Sequence, residues 1–90
     1  MREIVRTSQF KSDLKRLAKS GKYSIDELLA VVERLANDIS LPVKNRDHPL
    51  TGKWKDYRDC HICPDWLLIY QLESEKLILV RTGSHAELFR

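Results

Sequence analysis

Five side chains in this 90-residue chain have the types and positions that chemistry needs: His48, His61, His85, Arg81 and Asp65. Three histidines is close to average usage for such a length, so their placement carries more weight than their number. His48 sits in a Pro-rich stretch, His61 within a predicted strand, and His85 just past the last predicted strand. Arg81 lies near the end of that strand, and Asp65 opens the turn before Trp66. Such a set suits phosphodiester cleavage without a metal ion. A base takes the 2′-hydroxyl proton of RNA, an acid protonates the leaving oxygen, and a cation steadies the crowded phosphorane. Histidine can fill both proton roles, because its unperturbed pKa is about 6.5. The plainer alternative is a surface histidine and an arginine paired with a carboxylate, and these residues alone leave both open. Strand alternation predicts that Asp59 and His61 share a face, with Cys60 and Ile62 on the other. It likewise groups Leu77, Leu79 and Arg81.

Cys60-His61-Ile62-Cys63 invites comparison with redox and zinc motifs. Redox pairs sit at helix N-termini, and a zinc site needs further ligands at suitable spacing. Residues three apart on a strand point to opposite faces, so these thiols are expected to diverge. Cys60 is then a small core residue and Cys63 incidental. Lys11, Lys15, Arg16, Lys19 and Lys22 fit the solvated face of an amphipathic helix. Lys44, Arg46, Lys53, Lys55 and Arg58 cluster nearer the histidines and are better candidates for phosphate contacts. Trp54, Tyr57 and Trp66 interleave with them, and aromatic rings stack on unpaired bases. As core residues they would look the same.

The elements that must position these groups read as follows. Arg2 to Arg6 gives a weak strand signal, and Thr7 or Ser8 caps a helix carrying Phe10, Leu14 and Leu17 at helical spacing. Ser20-Gly21 stops it. Ser24 and Glu27 predict a capping box ahead of Leu28, Val31, Val32 and Leu35, in a second helix that fades near Asn37-Asp38. Ser40 to Gly52 is rich in breakers and reads as loop. Tyr57 to Cys63, Trp66 to Glu73 and Lys76 to Thr82 read as strands, the last two a hairpin across Ser74-Glu75. Ser84 to Phe89 can form one helical turn. The expected fold class is α+β in the order β-α-α-β-β-β, an antiparallel sheet with a helical hairpin on one face. WLLIYQL is apolar on both sides, which predicts a central strand covered on both faces.

Bulk properties set the frame. The length predicts a single domain over residues 1–90. No apolar run approaches the roughly 20 residues of a membrane-spanning helix, so no membrane partner is expected. The charged start MREIVRTSQF has no apolar signal-peptide core, and with only two cysteines it points to a reducing, cytoplasmic setting. Net charge is +3, a modest excess that permits a polyanionic partner without demanding one.

Asp47 to Phe89 closely resembles the C-terminal half of YafQ-type toxins of the RelE/ParE superfamily. The matching pieces are the DHPL loop, G-x-W-K-x-Y-R-D, H-x-x-P-D-W, L-I-Y and R-T-G-S-H-A-x-L-F, in the same order over about half the chain. The resemblance implies a RelE-like fold and a toxin of a type II toxin–antitoxin system. It implies a metal-independent endoribonuclease with no cofactor, cutting mRNA in the decoding site of the 70S ribosome. It implies His48, His61, Asp65, Trp66, Arg81, His85 and Phe89 as the site. His85 would be the proton donor, and either His48 or His61 the base. Asp65 would orient a histidine or raise its pKa, Arg81 would stabilise phosphate charge, and Trp66 and Phe89 would shape the pocket or pack against RNA. A cognate antitoxin is the implied partner, and operator DNA is reached only through their complex.

Three rival functions stand beside this. A ParE-like gyrase inhibitor would share the fold without relying on the histidine trio. A non-catalytic RNA-binding module would leave the histidines as surface residues. A zinc protein would use Cys60, Cys63 and a histidine.

Overall fold

The first strand is followed by two helices whose boundaries are set by local chemistry. In a computed structural model describing residues 1–89, β1 is Glu3–Arg6, α1 is Ser8–Ser20 and α2 is Ile25–Ala36. Thr7 is extended, and its hydroxyl accepts the Phe10 backbone N–H at 3.0 Å, capping α1. Gly21 ends α1 with φ of 68°, a conformation that costs glycine little. The capping box expected at Ser24 and Glu27 does not form. Ser24 makes no side-chain cap, and the Glu27 carboxylate instead accepts the Cys63 thiol at 3.1 Å. A capping box does form at the other end of the chain, on α3 (His85–Phe89). There Ser84 N–H donates to Glu87 Oε1 at 2.8 Å, and Glu87 N–H donates to Ser84 Oγ at 3.2 Å.

The remaining strands are β2 (His48–Pro49), β3 (Arg58–Cys63), β4 (Trp66–Leu72) and β5 (Lys76–Gly83), with short 3-10 turns at Val43–Asn45 and Gly52–Trp54. They form one sheet in the order β1-β5-β4-β3-β2. The expected all-antiparallel sheet is mixed, because β1 runs parallel to β5. With β4 already paired on both sides, the outer edge of β5 is open to the N-terminal strand, and β1 reaches it in the parallel sense. The two-residue β2, inside the predicted loop, adds a fifth strand.

β4 is central, and its first five residues are all buried. Trp66, Leu68 and Tyr70 pack under Phe10, Leu17, Leu28, Val32 and Leu35 of the two helices. Leu67 and Ile69 point the other way, into a smaller cluster with Leu88, Trp54 and Phe89. Burying such a side chain contributes about 1.5–3 kcal/mol, so the sheet is held from both sides. The smaller cluster floors the face on which the histidines gather.

Two one-residue register shifts interrupt the ladders. Between β4 and β5, Tyr70 pairs with Leu79 but Ile69 pairs with Arg81, leaving Val80 extra. Between β3 and β4, His61 pairs with Leu67 but Cys63 pairs with Trp66, leaving Ile62 extra. Each shift flips the alternation beyond it. Among the described residues, no helix is long and apolar enough to cross a membrane.

Candidate active site

A cleft of about 300 Å³ opens on the face opposite the helical hairpin, lined by His48, Asp59, His61, His85, Trp54 and Phe89 among others. All three histidines therefore come together. His48 pairs with Asp59 across β2 and β3, and His61 is two residues further along the same face of β3, as alternation predicted. His85 arrives from the first turn of α3.

Ring partners fix how the two strand histidines carry their protons. His48 Nδ1 lies 2.7 Å from the Arg46 carbonyl, and His61 Nδ1 lies 3.3 Å from the Pro64 carbonyl. A carbonyl only accepts, so in each neutral ring the proton is on Nδ1 and Nε2 keeps the lone pair. Either ring can thus serve as a base. What distinguishes them is Asp59, whose Oδ1 is 3.2 Å from His48 Nδ1. Because the Nδ1–H is directed at Arg46, Asp59 Oδ1 has the proximity of an ion pair but no hydrogen bond. Asp59 is 4% exposed. Burial pushes its carboxyl above the ordinary value, and His48, His61 and His85 draw it back only in part.

His85 is exposed, with its ring tilted against Phe89 at 5.1 Å between centroids. Phe89 meets Trp54 at 6.2 Å, and Trp54 meets Tyr57 at 5.5 Å, both edge to face. These rings form an aromatic wall beside the imidazoles, of the sort on which unpaired bases stack. Asp65 was expected to orient a histidine ring. Its Oδ1 is instead 3.5 Å from the His85 backbone N–H, at the start of α3, while the carboxylate facing the rings is Asp59.

Arg81 depends on the β5 register shift. Unbroken alternation would have grouped it with Leu77 and Leu79 beneath the helices, but the shift pairs it with Ile69, a cleft-side residue. Its guanidinium is gripped by Asp13 of α1, with Nε to Oδ2 and Nη2 to Oδ1 both at 3.0 Å. Asp13 is fully buried and also accepts from Gln9, Arg16 and the Thr82 backbone N–H. Burial alone would raise its carboxyl, but these bonds, Arg81 foremost, hold it below the ordinary value. Arg16 also reaches Glu87 at 3.3 Å, linking this anchor to the cap of the helix that bears His85.

Other expected site residues fall elsewhere. Trp66 was expected to shape the pocket or touch RNA. It is fully buried on the helix-covered face, donating Nε1–H to Thr82 Oγ1 at 2.8 Å, so its part is packing. Arg58 pairs with Tyr70, hence on the face away from the cleft, and its Nε bonds Tyr70 and Asp47 at 3.3 and 3.4 Å. Lys53 and Lys55 are exposed on and just after the 3-10 turn that carries Trp54. Cys60 is fully buried in the core, where desolvation pushes its thiol far up. The thiols do not diverge as expected, since the shift at Ile62 puts Cys63 with Trp66 on the same face as Cys60. Among the described residues, no three His, Cys, Asp or Glu side chains are placed to hold a metal ion.

Asp59 and Asp13 were missed as site residues. Asp59 could have been found, because it shares a strand face with His61 two positions away. Asp13 stands three residues after Phe10 and four before Leu17, on the apolar side of α1, but nothing in the sequence tied it to Arg81, 68 residues away.

Comparison with known proteins converges on one family. Residues 2–90 match the family described as a bacterial toxin of type II toxin-antitoxin system, YafQ. The mRNA interferase toxin YafQ of Escherichia coli strain K12 is 43% identical over 89 residues, 98% of this chain and 96% of that one. The crystal structure of the Escherichia coli DinJ-YafQ complex matches with a TM-score of 0.88 and 42% identity, covering 100% of both chains. A copper-bound mutant toxin from Helicobacter pylori matches with a TM-score of 0.93 and 37% identity, covering 99% of this chain and 100% of that one. The histidine cleft thus lies in a chain matched along nearly its whole length, and this chain belongs to the YafQ toxin family of type II toxin–antitoxin systems.

Proposed function

We propose that this protein is a toxin that acts in the cytoplasm as a single-domain, ribosome-dependent mRNA endoribonuclease, held in check by a cognate antitoxin. The observation that carries the reading is the convergence of His48, His61 and His85 around buried Asp59 on one aromatic-walled cleft. A gyrase inhibitor on this fold has no use for that constellation. The Escherichia coli relative is named an mRNA interferase, and it is seen in complex with DinJ. By analogy the antitoxin here covers the toxin, and operator DNA is reached through their complex. The copper of the Helicobacter pylori toxin is a property of that protein.

In this mechanism His48 is the base. Its Nε2 takes the 2′-hydroxyl proton, and Asp59 at 3.2 Å favours the imidazolium that results. The alkoxide attacks the adjacent phosphorus, the bond to the 5′-oxygen breaks, and His85 gives that oxygen a proton. The products are a 2′,3′-cyclic phosphate and a 5′-hydroxyl. Arg81, set by Asp13, stabilises the phosphorane charge. His61 steadies the phosphate between base and acid, and Phe89 and Trp54 stack on the flanking bases. Lys53 and Lys55 contact RNA from the loop beside Trp54, whereas Arg58, Trp66 and Asp65 serve the scaffold.

The test is primer extension of a reporter message on translating ribosomes, with wild type beside His85→Ala. Cuts in the decoding-site codon should fall by roughly 10²- to 10⁴-fold in the variant, as for loss of a general acid. Undiminished cutting by a folded variant would remove His85 from that role. Toxicity without cuts by either protein would favour gyrase inhibition.

A further inference from the structure

A second cleft, of about 410 Å³, lies beside the first and shares a single lining residue with it, His61. Its walls include Lys44, Arg46, Glu27, Cys63 and Pro64. Lys44 and Arg46 are exposed, and among the described residues neither has a carboxylate within salt-bridge distance. Glu27, the carboxylate on this wall, is engaged by the Cys63 thiol at 3.1 Å. The loop bearing both cations is fixed to the catalytic strand. Buried Asn45 donates from Nδ2 to the His61 carbonyl at 2.6 Å, and the Arg46 carbonyl receives His48 Nδ1–H at 2.7 Å. A backbone that holds one candidate base therefore carries a cation into the neighbouring cleft. His85 borders only the first cleft.

We infer that this second cleft is a subsite for the RNA strand on the 5′ side of the cut, with Lys44 and Arg46 neutralising the phosphate one linkage upstream. The inference rests on the cleavage mechanism proposed above, and the polarity follows from it. The 2′-hydroxyl belongs to the nucleotide upstream of the scissile phosphate, so that nucleotide lies by the base. The leaving 5′-oxygen belongs to the downstream nucleotide, so that one lies by His85. His61 borders both clefts and the Arg46 carbonyl holds His48, so either base sets the upstream chain toward Lys44 and Arg46, while the downstream chain leaves along Phe89 beside His85.

The experiment uses intact toxin and messages programmed on ribosomes under single-turnover conditions. Each message carries one uncharged methylphosphonate, either one linkage upstream or one linkage downstream of the cut. Combined Lys44→Ala and Arg46→Ala should raise the half-saturating toxin concentration on the order of tenfold, with a smaller change in the saturated rate. The log–log salt slope should fall by about 0.7, the single-strand value for one neutralised phosphate. The upstream methylphosphonate should impose the same loss on wild type and no further loss on the variant. The downstream one should penalise both proteins equally. Equal penalties from both linkages in the variant would overturn the assignment and move the cations to another anion, such as ribosomal RNA. Unchanged message affinity with weakened antitoxin binding would make the cleft an antitoxin dock. Wild type cutting the unmodified message separates these failures from failure of the proposed function itself.

Discussion

Asp59 should make the protein less stable and more active than its neutral counterpart. The carboxylate is 4% exposed, and its Oδ1 has no hydrogen bond although His48 Nδ1 is 3.2 Å away. A buried polar group left unsatisfied costs about 1–3 kcal/mol. Asp59→Asn removes the charge and keeps the volume, so it should stabilise the fold by about 1 kcal/mol at neutral pH. For a domain of 60–100 residues that is a rise in Tm of roughly 4–8 °C. The same change removes the group that favours the His48 imidazolium, and cleavage should fall by about 100-fold.

The pH dependence gives a second readout. Burial raises the folded carboxyl above its ordinary value of 3.8, so the folded state binds this proton more tightly than the unfolded chain. Its favourable contribution is complete below 3.8 and is lost as pH rises through the higher folded value. The stability advantage of Asp59→Asn should therefore be largest near neutrality and shrink on acidification. Thermal melts of both proteins between neutral and mildly acidic pH, beside single-turnover cleavage, measure it. A variant that melts below wild type at neutral pH, or whose advantage grows in acid, would show that His48 already offsets the buried charge. Asp59 would then be a paired carboxylate rather than an uncompensated one.

Asp13→Asn should destabilise strongly, by about 3–5 kcal/mol, because it breaks a buried charged network around a fully buried carboxylate. Its folded value is lowered, so that stability is present above 3.8 and is lost as pH falls through the lower value, which urea midpoints at neutral and acid pH would reveal. Arg81→Ala should slow single-turnover cleavage more than it weakens ribosome binding, since its charge matters most in the transition state; equal losses would recast it as a binding residue. Trp66→Phe should lower stability by about 1–3 kcal/mol through loss of the bond to Thr82 while cleavage stays near wild type. Loss of cleavage in that variant without loss of stability would return Trp66 to the site.

What was legible in the sequence followed from periodicity, and what was missed followed from two inserted residues and one distant pairing. The helix limits, the three long strands and central β4 depend on local apolar spacing and end signals, which the sequence carries directly. Alternation likewise put Asp59 and His61 on one face, because nothing interrupts β3 between them. It failed at Arg81 and Cys63, each lying just past an extra residue, Val80 or Ile62, that reverses the faces. Nothing in a string of β-formers marks which residue will be left unpaired, since either strand of a pair can absorb it. Both shifts border the candidate site. One pairs Arg81 with Ile69 while its guanidinium reaches Asp13 of α1, and the other sets Cys63 beside Trp66 against the helix-covered core, on the wall of the second cleft that His61 also lines. The irregularities that defeated the parity rule thus lie where the sheet meets the proposed site, and under that proposal they help to set a cation and an imidazole toward one phosphate.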